Sequence, residues 1–399
     1  MSKKVLIITQ NFYPEIGSAG NRMKNIFLLL QGKGFEVDVL TTEPTYPTKK
    51  IYYNSKFWDD ERLNKDQVHI DRVTMSNKKY SRSLVKRLLY YLEMAFKMFF
   101  SVIKSRKKYD IVYTTSPAIF IAMVGLVAKV KFRAKLFLEI RDLWPESLKG
   151  VGIFDKRIIL NIFRRIEKLL YKKADSIIVN SKGFINYIMK NSNKPAHEIL
   201  YLPNGAMKHE LIPKKEKKNS FKVIYAGNIG LAQDDQVLKE LAKLLHARNI
   251  KFTIIGYGLK TQGVRDFVKR EKLNNVKFLH PLTRAECLQV IREHDIGLVT
   301  LTKKDVFETV LPGKVIDYMT CGIPIVASVS GVAKELIMNE NAGFVSEKNS
   351  ATELIKYIDK LHQNPDLRAE IGKNAFAFVE RNFLWESNIE ALVHVLNNK

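Results

Sequence analysis

Three stretches of the chain carry side chains whose types and spacing could do chemistry. Residues 137–147, FLEIRDLWPES, end an apolar run with Glu139, Arg141, Asp142 and Glu146 bunched around Trp144 and Pro145. Charged groups crowded at the carboxyl end of a strand suit a polar ligand. They can hydrogen bond sugar hydroxyls and stabilise the charge that develops as a glycosidic bond breaks. The structural alternative is an Arg141–Asp142 ion pair that caps the following helix. Residues 13–22, YPEIGSAGNR, place Gly17 and Gly20 where backbone can approach an anion, ahead of a helix whose N-terminus favours phosphate. Glycine also serves ordinary tight turns. No GxGxxG follows, which argues against a dinucleotide-dependent oxidoreductase. Residues 309–328, TVLPGKVIDYMTCGIPIVAS, run from the Pro312–Gly313–Lys314 loop into a short helix bearing Asp317 and then into a buried strand.

The elements that must position these groups alternate. A strand at residues 5–9, the glycine loop, a helix at 23–31 and a strand at 35–42 form a unit of the kind that builds parallel sheets. Further β-branched runs at 111–114, 136–140 and 176–179 extend the pattern to about residue 205. After a polar, Lys-rich stretch containing Pro213 and KKEKK, which reads as a linker, runs at 221–227, 251–256, 276–280, 296–300 and 324–328 alternate with helical patterns again. The expected fold is α/β, with two Rossmann-like domains in tandem. The expected boundaries are a first domain over 1–205, a linker over 206–220, a second domain over 221–380 and a terminal helix over 381–399. At 399 residues the chain exceeds what one core usually supports. In open parallel sheets ligands bind outside the carboxyl ends of the strands, so two such domains are expected to face each other across a ligand cleft.

The net charge of +25 is uneven, since residues 1–210 hold 38 Lys and Arg against 19 Asp and Glu. The first domain should therefore meet an anionic partner. Residues 80–108 set eight basic side chains and one acid among Leu84, Leu88, Leu92, Phe96, Phe99, Phe100 and Ile103. The pattern fits a cationic helix lying in a bilayer interface, with Arg82, Lys86, Arg87, Phe96, Phe99 and Phe100 as contacts. It fits equally a core-packed helix with a solvated basic face. A second basic stretch, 156–173, adds to the membrane side. No helix-turn-helix, zinc-finger or RNA-recognition pattern accompanies the charge, so nucleic acid is not the expected partner. No apolar run approaches the roughly 20 residues that span a bilayer, and no secretory signal opens the sequence. The expectation is peripheral attachment at the cytoplasmic face of the plasma membrane. Cys287 and Cys321 form no metal-spaced cluster and read as small buried side chains.

The 309–328 segment, with its Cys-Gly-x-Pro turn, resembles glycosyltransferase family four, retaining enzymes of the GT-B fold. LPNG at 202–205, YAGNIG at 225–230, GYG at 256–258, VKFLHP at 276–281 and the ending at 383–396 are similar to that family in order. The RDLWPES and PGKVIDYM spellings look like a narrower group that transfers N-acetyl-fucosamine-type sugars in capsule and O-antigen assembly. The resemblance implies that the last helix crosses back to the first domain and that Asp317 accepts the donor's ribose hydroxyls. Thr309 stands at the family's first glutamate, which implies an altered donor sugar. Asn228 and Gln233, near Gly230, stand where the family binds diphosphate with Arg and Lys. Lys314, with Arg22 or Arg141 as helpers, is then the candidate cation. Arg141 replaces the family's active-site histidine.

The resemblance further implies front-face transfer with no protein nucleophile and no metal or other cofactor, consistent with the lack of any Asp-x-Asp. The resulting expectation is transfer of an N-acetylated deoxyhexosamine, such as N-acetyl-L-fucosamine, from a UDP-sugar to an undecaprenyl-diphosphate-linked sugar acceptor. Two other classes stay open: a GT-B epimerase acting on UDP-N-acetylhexosamine in free solution, and a non-enzymatic basic protein of membranes or nucleic acid.

Overall fold

The computed structural model describes residues 2–76, 84–116, 119–150, 157–214 and 220–398. Arg82 and the KKEKK run beyond Lys214 lie outside the described residues. Two compact units emerge, the first comprising Met1–Pro203 with Asn388–Lys399 and the second Asn204–Ser387.

In the first unit seven strands form one parallel sheet: β1 (Lys4–Ile8), β2 (Glu36–Thr42), β3 (Ile70–Val73), β4 (Ile111–Ser116), β5 (Lys135–Ile140), β6 (Ser176–Val179) and β7 (Ile199–Tyr201). Their order is β3-β2-β1-β4-β5-β6-β7. Ile7 pairs with Val39 on one side and Tyr113 on the other. A parallel sheet is covered by helices on both faces, so its central strands are apolar throughout rather than alternating. β4 accordingly has every residue buried. The sheet order reverses between β1 and β4. That switch point opens a crevice at the strands' carboxyl ends, where the glycine loop and the segment after β5 emerge.

The second unit repeats the plan with six parallel strands: β8 (Lys222–Asn228), β9 (Lys251–Tyr257), β10 (Val276–Leu279), β11 (Ile296–Thr300), β12 (Ile325–Ser328) and β13 (Gly343–Val345). Their order is β10-β9-β8-β11-β12-β13, with the switch point between β8 and β11. Val223, Tyr225, Leu241, Phe252, Ile254 and Leu298 belong to one core that the helix Ala351–Gln363 closes.

The stretch after residue 206 is docked rather than loose wherever it is described. Ala206 bridges to Leu384, and a short 3-10 turn, Lys208–Glu210, follows. Lys214 donates to the His294 carbonyl at 2.7 Å, and Asp295 lies 3.6 Å from its ammonium.

The helix Leu84–Lys104 is packed on the core by one face, as the core-packed alternative expects, but its outer face is not the solvated basic one. Tyr90, Met94, Met98 and Val102 are buried in the first unit's core. Leu88, Leu92, Phe96, Phe99, Phe100 and Ile103 nevertheless remain exposed, Phe96 by 65%. The outer face is therefore apolar, with Lys86 exposed at one end of it. Helix Ile119–Phe132 packs against this helix and against Arg157–Lys173, and both carry exposed apolar groups, Val130 at 73% and Ile158 at 77%. No described helix is long and apolar enough to cross a membrane.

Candidate active site

At the first unit's switch point the glycine loop is shaped by close approach. A side chain at Gly20 would place its Cβ 2.2 Å from the Glu15 carbonyl oxygen, so only glycine fits there. Gly17, φ 112°, precedes the helix Ser18–Gly32. From the first turns of that helix Arg22 reaches inward and is 1% exposed. Its Nε donates to Glu139 Oε1 at 2.7 Å, and Nη1 and Nη2 donate to the carbonyls of Pro203 and Leu202 at 3.0 and 2.8 Å. Glu139, fully buried on β5, also accepts the Tyr113 hydroxyl at 2.8 Å. The end of β5 and the segment after β7 are thereby tied through one guanidinium. The described donors of Arg22 are thus turned to Glu139, Leu202 and Pro203.

Arg141 and Asp142 follow β5 and are half-buried. Burial pulls the Arg141 guanidinium below its usual range, a trend opposed by Glu139. Burial pushes Asp142 up to about 6, against the opposing hydrogen bonds of Ser147 and the Leu143 amide. Glu146 is turned toward Arg164, whose Nε lies 2.7 Å from its Oε1. Trp144 packs on Phe163 with ring centroids 5.1 Å apart. Arg164 and Phe163 both stand on Arg157–Lys173, so the segment carrying Asp142 rests directly on a helix with exposed apolar side chains.

In the second unit the end of β8 turns through Gly227, φ 123°, with the Lys314 side chain beside it. A Cβ there would lie 3.6 Å from Lys314 Cε. The Lys314 ammonium sits 3.7 Å from the centroid of the Tyr225 ring and is buried without a hydrogen-bond partner. Burial brings it down to about 7, with Asp317 opposing the shift. Pro312 and Gly313 lead into the helix Gly313–Thr320, which carries both Lys314 and Asp317. Beyond Gly227, Gln233 Oε1 accepts the Gly230 amide at 2.8 Å. Asn228 is exposed, with its side chain lying against Gly230 and Gly258. Thr309 Oγ1 donates to the Val306 carbonyl at 2.8 Å, turned to its own backbone.

Two residues that the sequence did not single out complete this wall. Asp317 Oδ1 accepts Arg284 Nη1 at 2.6 Å, and Arg284 Nε and Nη2 grip Glu210 at 2.8 and 3.1 Å. Arg284 opens the helix Arg284–Arg292 directly after β10, at the carboxyl edge of the sheet. That position was a signal in itself. Glu210 lies in the stretch taken for a linker, and nothing in its spacing marks it.

A doubly wound parallel sheet in each unit, with a cation and a carboxylate on one helix beside a glycine turn in the second, points to a class. The chain belongs to the group 1 glycosyltransferases, enzymes of the GT-B fold. Residues 17–205 match the "Glycosyl transferase 4-like domain" and residues 207–378 match "Glycosyl transferases group 1". Among relatives, an uncharacterized glycosyltransferase of Methanocaldococcus jannaschii is 26% identical, over 74% of this chain and 76% of its own length. The Escherichia coli K12 chain named WcaI, a glycosyl transferase of colanic acid biosynthesis by that name, is 24% identical over 80% and 81%. Among solved structures, Anabaena HepE in complex with UDP-glucose superposes with a TM-score of 0.72 at 16% identity, covering 99% of this chain and 100% of that one. The fold expected from sequence, two parallel-sheet α/β domains of GT-B type, is the fold observed.

Proposed function

We propose that the chain transfers a sugar, with retention, from a UDP-sugar held by the second unit to a lipid-linked sugar held by the first. The observation that carries the donor half is Lys314. An ammonium out of water, without a hydrogen-bond partner, beside a glycine turn and at the first turn of a helix is balanced only by an aromatic face and by Asp317 at a distance, among the described residues. A diphosphate at that turn would supply the missing anion, joined by the backbone amides of the helix start. Asp317, one turn further, would accept ribose hydroxyls. In this reading the diphosphate charge is met by protein cations and amides rather than by a metal. HepE is described with UDP and UDP-glucose bound, which favours a UDP-sugar here. For the sugar itself, Thr309 in place of a carboxylate favours a deoxygenated, N-acetylated hexose such as N-acetyl-L-fucosamine.

The acceptor half rests on the apolar outer face shared by Leu84–Lys104, Ile119–Phe132 and Arg157–Lys173, set in the strongly basic half of the sequence. Such a face suits peripheral attachment to an anionic membrane surface at the cytoplasmic side, where an undecaprenyl-diphosphate acceptor would be presented. Arg141 and Asp142, packed on that face through Trp144 and Glu146, would meet the acceptor sugar and its hydroxyl. In a retaining front-face reaction that hydroxyl attacks the anomeric carbon as the bond to the diphosphate breaks. Its proton passes to the departing phosphate oxygen.

Incubating the protein with a panel of UDP-sugars and a membrane lipid extract, then weighing the lipid-linked products by mass spectrometry, tests both halves. One UDP-sugar consumed with a matching mass gain on a lipid supports the reading. Every UDP-sugar left intact overturns it, and a sugar nucleotide isomerised without lipid establishes the epimerase instead.

A further inference from the structure

We infer that Arg284 and Glu210 are positioning residues that set the donor carboxylate, so that the segment joining the units takes part in nucleotide recognition. The inference rests on the reading of Asp317 as the ribose acceptor. Arg284 spends its three hydrogen-bonding faces on two acids. Nη1 holds Asp317 Oδ1 at 2.6 Å, while Nε and Nη2 fork onto the two oxygens of Glu210. A fork of this kind fixes the plane of both partners. Glu210 is itself fixed from two further directions. Its Oε2 accepts the Met207 amide at 3.0 Å, and its backbone carbonyl accepts Arg292 Nη2 at 2.6 Å. Arg284 is held in register because it begins a helix closed by a reciprocal cap, Thr283 with Glu286.

The result is one connected path, Met207 to Glu210 to Arg284 to Asp317. It starts a few residues after Pro203, where the first unit's main segment ends. Glu210 is 8% exposed, so the Glu210 end of the relay is shielded from water, while Arg284 and Asp317 are half-buried. Oδ1 of Asp317 is taken up by the pair, which turns the other oxygen, Oδ2, into the one that a ligand hydroxyl would meet. Without Arg284 the carboxylate would lose the hydrogen bond that fixes its plane. It would also sit beside Glu210 as a like charge. A donor bound through Asp317 therefore depends on two residues that it need not touch.

The test is a binding cycle on the full chain with UDP and its 2′,3′-dideoxy analogue, read by calorimetry for wild type, Arg284→Lys, Glu210→Gln and Asp317→Asn. Both relay variants keep a side chain of similar reach, and thermal unfolding confirms that each folds. If the relay acts through Asp317 on ribose, Arg284→Lys and Glu210→Gln each weaken UDP binding about tenfold and leave the dideoxy analogue within about twofold. In turnover the KM for the sugar nucleotide rises while kcat stays within about twofold. The relay penalty should also vanish in the Asp317→Asn background, since coupled residues are not additive. Should Asp317→Asn weaken UDP selectively while Arg284→Lys and Glu210→Gln affect both nucleotides alike or neither, the inference falls and the ribose reading stands. Should Asp317→Asn itself treat the two nucleotides alike, the ribose reading fails and takes the inference with it.

Discussion

Lys314 rests its ammonium 3.7 Å from the centre of the Tyr225 ring, beside Gly227. Burial has brought it down to about 7, so near neutral pH it holds its proton only in part. An anion placed beside it would restore the ammonium. The bound state then carries more protons than the free one, and affinity falls as pH rises above about 7. Calorimetry of UDP binding at pH 8, in two buffers of different ionisation enthalpy, should show net proton uptake. Lys314→Met should abolish the uptake and weaken binding about tenfold or more. A pH-independent affinity with no proton uptake in wild type would remove Lys314 from the diphosphate site.

The same residue makes a stability prediction with a definite sign. A lysine near 10.5 when unfolded and about 7 when folded is penalised below pH 7, and the penalty is relieved as pH climbs toward 10.5. Lys314→Met should thus be more stable than wild type at pH 6, by an amount on the order of a few kcal/mol. The gap should shrink on raising the pH to 9. Urea midpoints at the two values decide it.

Arg22 and Glu139 make the opposite prediction in the first unit. Both are out of water, and Glu139 Oε1 accepts from the Arg22 guanidinium and from the Tyr113 hydroxyl. Removing one member of a buried pair leaves the other charge uncompensated and costs about 3–5 kcal/mol. Arg22→Met should therefore unfold at markedly lower urea than wild type. The double variant Arg22→Met with Glu139→Gln should recover much of the loss. Equal losses for the single and double variants would show that the pair's charges are not the issue.

Most of the fold was legible because parallel strands buried on both faces are written as unbroken apolar runs. What the sequence concealed were β3, β7 and β13, edge strands of three or four residues that are too short to stand out from a loop. Asp317 and Lys314 are singled out by the family resemblance of their segment, and the structure carries both on the helix Gly313–Thr320. The partner of Asp317 is not singled out, since Arg284 lies 33 residues away and meets it only through the sheet's topology. Arg22 is offered by the sequence only as a helper cation for the diphosphate. Its carbonyl and carboxylate partners lie more than a hundred residues downstream, and spacing along the chain carries no trace of them.

Phe96, Phe99 and Phe100 form an exposed aromatic group on one helix, and Ile158 and Ile162 stand exposed on another. If this face meets a bilayer, each large apolar group removed should weaken vesicle partitioning by about 1.5–3 kcal/mol, roughly tenfold or more. Phe96→Ser and Ile158→Ser should each show it in sedimentation with anionic vesicles, while the charge reversal Lys86→Glu should matter chiefly at low salt. Binding to anionic vesicles that is unchanged in the combined triple variant would sink the membrane assignment.

Asp142 sits where acid–base behaviour and function meet. Burial raises it to about 6, so between about pH 4 and 6 the folded chain holds a proton that the unfolded chain has released. Stability should fall as pH rises through that window, and the penalty should be complete above it. Asp142→Asn removes the ionisable group, so at pH 7.5 it should be as stable as wild type or more stable, by up to about 3 kcal/mol. At pH 4 that difference should shrink toward nothing. If the ionised carboxylate serves the acceptor, the variant should nonetheless lose most of its turnover. The wild-type kcat/KM should rise through about pH 6, and that limb should be missing from whatever activity Asp142→Asn retains. A variant that is less stable at every pH yet keeps its turnover would make Asp142 an anchor for Ser147 and the Leu143 amide. A carboxylate kept at this position for its charge must cost stability and give activity together, and only that combination supports the role assigned to it.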